Sequence, residues 1–193
     1  MKKIDKKELK DLIVGGISEA ELNNNYDYSH IKDMSNLFYY NKMVTIPKLN
    51  TQNVVYMNAM FLGCSSLTSI PPMNTENVIS MVDMFSECKL LTSVPFLNTI
   101  KVTNMSSMFY GCTVFDGNLS DWDVSKVTNV WNMFGTRDLH PSIYLLDWTS
   151  LADDSFEFNQ KYLDYETVRF GGKKMFNKEK DKVSSLGLLA HFL

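Results

Sequence analysis

The chain has 193 residues, of which 45% are hydrophobic and 21% are charged, and its formal net charge at pH 7 is −3. This length and composition are typical of one soluble globular domain. A nearly balanced charge argues against nucleic acid as a partner, because nucleic-acid binding needs a clustered basic surface. No apolar stretch approaches the roughly 18 residues of a transmembrane helix, so no membrane span is predicted.

The N-terminal region, residues 1–33, is predicted to form a helical cap. Asp5 followed by Glu8 is a capping box, and Gly15 can end the helix that it starts. Ser18, followed three residues later by a glutamate, starts a shorter helix that ends in an asparagine-rich turn. The lysines of this region could indicate a membrane-surface or nucleic-acid contact. Because acidic residues are interleaved with them, we interpret them as the solvated face of a cap that covers the end of a repeat array.

One short phrase then recurs at a step of 24 residues. The copies that begin at Met57 and Met81 read Met-x-x-Met-Phe, then a turn with cysteine, then Leu-Thr-Ser and proline, then Asn-Thr. A third copy opens in the same way at Met105 and diverges after Cys112, and the first and last copies are atypical. The phenylalanines are Phe61, Phe85 and Phe109, which are 24 residues apart. A fixed period between about 20 and 50 residues is typical of a solenoid. The pattern extends back to Met34 and forward to Phe134, so four copies and a fragment of a fifth fill residues 34–134.

The spacing inside a copy predicts its local structure. Apolar residues from Val78 to Phe85 have nearly helical spacing, which predicts one or two helical turns. Gly63, or its equivalent in other copies, is expected to end these turns in a left-handed conformation. The next residues are rich in β-formers and stop at a proline. Stacked copies are therefore predicted to make a parallel sheet from three segments: residues 45–46, 67–70 and 91–94.

Three residue types recur in columns. The cysteines are Cys64, Cys88 and Cys112. A disulfide or a metal site is possible, but a spacing of 24 is unlike a metal-ligand spacing, and we interpret the column as packing. The methionine columns are interpreted as core rather than as a soft-metal strip. The third column is Asn50, Asn74, Asn98 and Asp123. These side chains are expected to satisfy backbone groups in a turn, and a ligand-binding ladder is the alternative.

Two segments resemble a known family. Residues 104–112 read Asn-Met-Ser-Ser-Met-Phe-Tyr-Gly-Cys, and residues 122–129 read Trp-Asp-Val-Ser-Lys-Val-Thr-Asn. Both are similar to the bacterial surface protein repeat of the BspA-like leucine-rich repeats. The resemblance covers about half of the chain. It implies a curved solenoid that binds other macromolecules and has no catalytic residues, in a family whose members are often secreted or surface-anchored and whose repeats also occur in phage proteins.

The predicted fold class is an α/β solenoid. It would be a leucine-rich-repeat-like right-handed coil with a short parallel sheet on the concave side and short outer helices. A helical N-terminal cap covers residues 1–33, and a mixed C-terminal cap or tail covers residues 135–193. In this last region, residues 143–148 are expected to form an irregular strand, and residues 183–193 are apolar enough to dock on the last coil or on a partner.

The function predicted from these features is non-catalytic binding. The histidines are scattered, and neither H-E-x-x-H nor G-x-S-x-G occurs, so no enzyme, cofactor or metal is expected. The predicted partner is a protein or a larger protein assembly, and a glycan remains possible. The candidate contact residues flank the inward apolar side chains of the predicted strands: Thr45, Thr68, Ser69, Thr92 and Ser93.

An alternative function is a structural component of a larger assembly such as a phage virion, in its tail, neck or capsid. Such a component would contact its neighbours through its caps. The N-terminal Met1–Lys7 is not followed by a long apolar run, so no secretory signal is predicted. A cytoplasmic or virion-associated location is therefore favoured over a secreted one.

Overall fold

The N-terminal region folds into two helices and a short parallel strand pair. The structure is a computed structural model that describes residues 1–119 and 121–134. Strand β1 is Lys2–Lys3, helix α1 is Lys6–Val14, helix α2 is Glu19–Asn25 and strand β2 is Tyr26–Asp27. Strand β1 pairs in parallel with β2. The predictions for residues 135–193, including a C-terminal cap, a strand over 143–148 and a docking segment over 183–193, lie outside the described residues.

Both helices begin at the predicted caps. The Asp5 carboxylate accepts a hydrogen bond from the Glu8 N–H at 2.8 Å, and the Glu8 carboxylate accepts one from the Asp5 N–H at 3.1 Å. This reciprocal pair satisfies donors that the first turn of a helix leaves free. The Ser18 hydroxyl accepts from the Glu21 N–H at 3.2 Å and starts α2 in the same way. The two predicted helices are therefore confirmed, but α2 continues through the asparagines up to Asn25, which were predicted to form a turn.

Two lysines of α1 hold the cap on the first copy of the repeat. The Lys6 ammonium donates to the Ser35 carbonyl at 3.3 Å and lies 3.5 Å from the Asp33 carboxylate. The Lys10 ammonium donates to the Asn36 carbonyl at 3.5 Å. Part of the lysine face of α1 thus binds the repeat rather than facing only solvent.

Each copy of the repeat contains a row of consecutive turns that we call the turn ladder: residues 34–41, 57–64, 81–88, 105–112 and 130–134. Along the turn ladder, backbone N–H groups donate alternately to the next copy and to their own copy. In the second copy, the N–H groups of Met57, Ala59, Phe61 and Gly63 donate to carbonyls of the third copy at 2.7–3.1 Å. The N–H groups between them, from residues 60, 62 and 64, donate three residues back along the chain. This alternation satisfies the backbone donors and fixes the register between neighbouring copies.

The turn ladder is not the pair of helical turns that the sequence predicts. An early residue of each copy has a left-handed φ of 51–61°, and this column consists of Asn36, Ala59, Asp83, Ser107 and Asn132. Four residues later the backbone is left-handed again, at Tyr40, Gly63, Glu87 and Gly111. A helix requires right-handed φ at every position, so these residues interrupt it. The left-handed conformation predicted for the turn glycine is confirmed, because φ is 74° at Gly63 and 75° at Gly111.

The parallel contacts also lie elsewhere than predicted. Single parallel bridges join Asp33 to Tyr56, Tyr56 to Ser80, Ser80 to Asn104 and Asn104 to Asn129. No strand forms over residues 45–46, 67–70 or 91–94. The reason is local, because the Leu67 N–H closes a turn on the Cys64 carbonyl at 3.0 Å instead of pairing with the next copy. The Leu91 N–H closes the equivalent turn at 3.1 Å.

The core consists of columns that run through the copies. The phenylalanine rings stack with centroids 5.1–5.7 Å apart along the column Phe38, Phe61, Phe85, Phe109 and Phe134. Both methionine columns are buried: Met34, Met57, Met81 and Met105, and Met60, Met84, Met108 and Met133. The interpretation of the methionines as core is therefore confirmed.

The asparagine column has the predicted role in turns. The side-chain oxygens of Asn74 and Asn98 accept from the N–H two residues later, each at 3.1 Å. Asp123 accepts in the same way at 2.9 Å. The next column, which the sequence did not single out, is Thr51, Thr75 and Thr99. These buried hydroxyls donate to a carbonyl of the following copy at 2.8–3.0 Å.

Candidate functional site

The five candidate contact residues all lie on the surface. Thr45, Thr68, Ser69, Thr92 and Ser93 are exposed. The apolar residues next to them in the chain, Leu67, Ile70 and Leu91, are buried. This alternation directs the hydroxyls outward, as predicted, although the segments that carry them are irregular loops rather than strands.

Backbone hydrogen bonds join two of the candidate residues to loops of neighbouring copies. The Thr68 N–H donates to the Val44 carbonyl at 3.5 Å, and the Asp116 N–H donates to the Thr92 carbonyl at 2.8 Å. Thr68 is thus aligned with Val44 rather than with Thr45. This shift of one residue arises because the first copy has one residue fewer between Phe38 and Pro47 than the second copy has between Phe61 and Pro71. The structure places the five candidates at exposed positions in the loops of three neighbouring copies.

The same loops expose three aliphatic side chains that the sequence reasoning missed. Val44 is 55% exposed, Leu90 is 51% exposed and Val114 is 40% exposed. Leu90 and Val114 are in register, because the Thr113 hydroxyl donates to the Lys89 carbonyl at 3.4 Å and the Asp116 N–H donates to the Thr92 carbonyl. Alignment of the copies could have revealed them, since Leu90 and Val114 occupy the column in which the second copy has Ser66.

We call this surface the loop face, and it consists of Val44, Thr45, Thr68, Ser69, Leu90, Thr92, Ser93 and Val114. None of its side chains titrates. Its hydroxyls can donate and accept hydrogen bonds, and its aliphatic groups can exclude water from a contact. An ion pair borders it, with the Lys89 ammonium 3.4 Å from the Glu87 carboxylate. The arrangement suits binding by hydrogen bonds and apolar contact.

The cysteine column fills one slot of the core. Each thiol is free and buried, and donates to the phenylalanine carbonyl of the preceding copy at 3.0–3.1 Å. Burial raises the pKa of the Cys64 thiol to about 11 and that of Cys112 to about 12, and it also raises the pKa of Cys88. Thiols held in their protonated form are poor nucleophiles and poor metal ligands. The interpretation of this column as packing is therefore confirmed.

Two further findings concern the described part of the chain. Its histidines, cysteines and acidic residues form no group of three or more that could hold a metal ion. No helix in residues 1–119 and 121–134 is long and apolar enough to cross a membrane.

A groove of about 590 Å³ lies on the N-terminal cap, away from the loop face. Its acidic side chains are Glu8, Asp11 and Glu21, and apolar residues of α1 and of the neighbouring segments line the rest. Glu8 is already committed to the capping box and to an ion pair with Lys2 at 2.9 Å. The pKa of Glu8 is lowered by its hydrogen bond from Lys2, which keeps this carboxylate ionised rather than poised for proton transfer.

Copies that share columns, register and a backbone hydrogen-bond pattern define a repeat protein. The chain belongs to the DUF285 family, described as "Mycoplasma protein of unknown function", whose model matches residues 13–95 and again residues 92–184. This family is related to the BspA-like repeats. Comparisons with curated proteins and with solved structures gave no match.

Proposed function

We propose that the protein is a non-catalytic protein-binding module and that its loop face contacts the partner. In this proposal the copies continue as one right-handed, leucine-rich-repeat-like solenoid of the BspA-like kind. The observation that supports it is the alignment of exposed hydroxyl and aliphatic side chains from neighbouring copies on one face. Each copy adds one row to such a surface, so a repeat array can present a long contact area.

The composition of the loop face favours a protein partner over a glycan. Leu90, Val114 and Val44 expose aliphatic groups, whereas sugar rings are usually recognised through aromatic faces and amide or carboxylate hydrogen bonds. Protein interfaces commonly combine an apolar centre with a rim of hydrogen-bonding groups. The threonines and serines beside the aliphatic side chains match this pattern.

The backbone of the turn ladder supports the proposal indirectly. Register between the copies is held by N–H groups of residues 57–63 and by the buried threonine column. Side chains of the loop face make none of these contacts. Substitutions on the loop face should therefore alter binding without loss of the fold, which makes the proposal testable.

The test is affinity capture from the native source with full-length tagged protein, followed by mass spectrometry. The double variant T68R/T92R places two long cations on the loop face. The matched control, Q52R/S125R, makes the same charge change at two exposed positions in the turns that follow the asparagine column. We expect a partner that the wild type and the control capture equally, and that the loop-face variant captures at least tenfold less.

Two outcomes would count against the proposal. Capture of the same partner by a folded T68R/T92R variant would show that the loop face is not the contact surface. Co-purification with a large particle in fixed stoichiometry, independent of the loop face, would favour the alternative in which the protein is a structural component of an assembly.

A further inference from the structure

A second surface lies along the parallel bridges that join the copies. The bridge column consists of Asp33, Tyr56, Ser80, Asn104 and Asn129. Two residues later in each copy lies a further column: Ser35, Asn58, Val82, Ser106 and Trp131. The two columns contact each other, because the Ser80 hydroxyl donates to the Asn58 Oδ1 atom at 2.7 Å. From the second copy to the fifth, neither column contains a charged residue.

Aromatic side chains occupy both ends of this uncharged stretch. Tyr56, in the second copy, is 42% exposed, and Trp131, in the fifth copy, is 50% exposed. Between them the bridge column has the half-buried polar residues Ser80 and Asn104. The step from one copy to the next is given by the stacked phenylalanine rings, whose centroids are 5.4 and 5.5 Å apart on either side of Phe85. The surface thus offers two aromatic contacts that are separated by polar groups.

The amide side chains of this surface are held in fixed orientations. The Asn104 Oδ1 atom accepts from the Ser106 N–H at 2.9 Å, and the Asn129 Oδ1 atom accepts from the N–H two residues later at 2.9 Å. The Asn58 Oδ1 atom accepts from the Val82 N–H at 3.0 Å. Because a backbone N–H can only donate, the oxygen of each amide is directed at the ladder, and the NH2 group is the part left for a ligand. Donors that are already oriented lose little freedom on binding.

We infer that this surface binds a neutral linear glycan. We call it the ladder face, and it consists of Tyr56, Asn58, Ser80, Asn104, Asn129 and Trp131. Sugar rings stack their C–H groups on aromatic faces, and their hydroxyl oxygens accept hydrogen bonds from amide NH2 groups. A linear glycan repeats these groups once per ring, at a step similar in size to the step between copies. Because the ladder face has no charge, it is complementary to a neutral glycan rather than to a sialylated or sulfated one.

The centre of the ladder face distinguishes a glycan from a protein as its ligand. Protein interfaces commonly have an apolar centre and a polar rim. The ladder face has the reverse arrangement, with Ser80 and Asn104 in the middle and the aromatic rings of Tyr56 and Trp131 at the ends. It shares no residue with the loop face, so this inference does not rest on the proposed function.

The test is a glycan array that is probed with the full-length tagged protein. The array carries neutral linear oligosaccharides, including cellohexaose and laminarihexaose, beside sialylated and sulfated ones. The double variant Y56A/N104A removes an exposed ring and an amide from the ladder face. The matched control N74A/F96A also removes an exposed ring and an asparagine that closes the same kind of turn, with its Oδ1 atom 3.1 Å from the N–H two residues later.

We expect the wild type and the N74A/F96A control to bind the neutral oligosaccharides equally. The Y56A/N104A variant should bind them at least about tenfold more weakly, because it loses one stacking contact and one hydrogen bond. The two double variants each lose one turn hydrogen bond, so similar midpoints of thermal unfolding would show that the difference in binding is not a difference in folding. The loop-face variant T68R/T92R should bind the glycans like the wild type.

Several results would overturn the inference. Binding of none of the neutral oligosaccharides, or of the sialylated and sulfated ones alone, would show that the ligand is of another class. Equal losses in the two double variants, or a loss in T68R/T92R, would place the glycan outside the ladder face. A captured protein that only Y56A/N104A fails to bind, without any glycan binding, would make the ladder face a protein interface. The proposed function is tested by capture of a protein on the loop face, so either proposal can fail while the other holds.

Discussion

Truncation of one ring in the phenylalanine column tests whether stacking between copies stabilises the protein. Phe85 is fully buried, with ring centroids of Phe61 and Phe109 at 5.4 and 5.5 Å. A buried Phe→Ala change costs at least about 3 kcal/mol, and each lost ring contact adds about 0.5 kcal/mol or more. For Phe85→Ala, with two contacts, we expect the free energy of unfolding to fall by at least about 4 kcal/mol.

The assay is urea unfolding followed by circular dichroism and tryptophan fluorescence, which should give coincident transitions if unfolding is two-state. The matched control is Phe96→Ala, because Phe96 is 64% exposed and its truncation should change stability by no more than about 0.5 kcal/mol. If Phe85→Ala is unfolded in water, Phe85→Leu provides a milder variant with an expected loss of about 1.5 kcal/mol. A loss below about 2 kcal/mol for Phe85→Ala would refute the stacked core.

Three further predictions concern other columns. Gly63→Ala should cost more than Gly16→Ala in thermal unfolding: both glycines have left-handed φ, but of the two only Gly63 would bring an added Cβ against the Tyr40 ring, whose Cγ lies at 2.8 Å, so equal costs would contradict the close approach. Because burial raises the pKa of Cys64 from 9.0 to about 11, its contribution to stability is present below pH 9 and is lost as the pH rises towards 11. Alkylation of the Cys64 thiol in the native protein at pH 8.5 should therefore be slow, and rapid labelling would refute the raised pKa. Thr75→Val should cost about 1 kcal/mol, because it removes a buried hydrogen bond, whereas Thr68→Val at the surface should cost nothing measurable.

The parts of the fold that the sequence predicted correctly depend on local or periodic signals. The N-caps at Asp5 and Ser18 each pair with a residue three positions later, so the pattern alone predicts both helices. The core columns follow from the period of the repeat, because a side chain that recurs at each step has the same surroundings in each copy. For the same reason, the turn role of Asn74 and Asn98 could be predicted.

The backbone of each copy could not be predicted, because its hydrogen bonds are non-local. Consecutive turns of three residues place apolar side chains at offsets of three, which is also the spacing of a helical face. The two structures differ in the first left-handed residue of each copy. Ala59, Asp83 and Ser107 hold that position, and no glycine marks it. Carbonyls of the next copy, about 23 residues away, make this conformation favourable, and no local window contains that information.

The candidate surface was predicted in part for a related reason. The sequence predicts that the threonines and serines next to buried leucines are exposed, so Thr68 and Thr92 could be chosen as candidates. Within a single copy, an exposed aliphatic residue such as Leu90 cannot be distinguished from a core residue. The distinction requires comparison with the second copy, which has the polar Ser66 at the same position.

In the proposed function, stability and recognition depend on different atoms. Backbone N–H groups and buried side chains, such as the Thr75 hydroxyl, fix the spacing and register of the copies. The side chains of the loop face contribute none of these bonds, so they can vary from copy to copy while the rows stay aligned. The change from Ser66 to Leu90 in one column is such a variation, since it alters the surface chemistry but leaves the neighbouring turn on Cys88 unchanged. A binding surface built in this way can acquire a new partner through exposed side chains alone, without a change in the core that supports it.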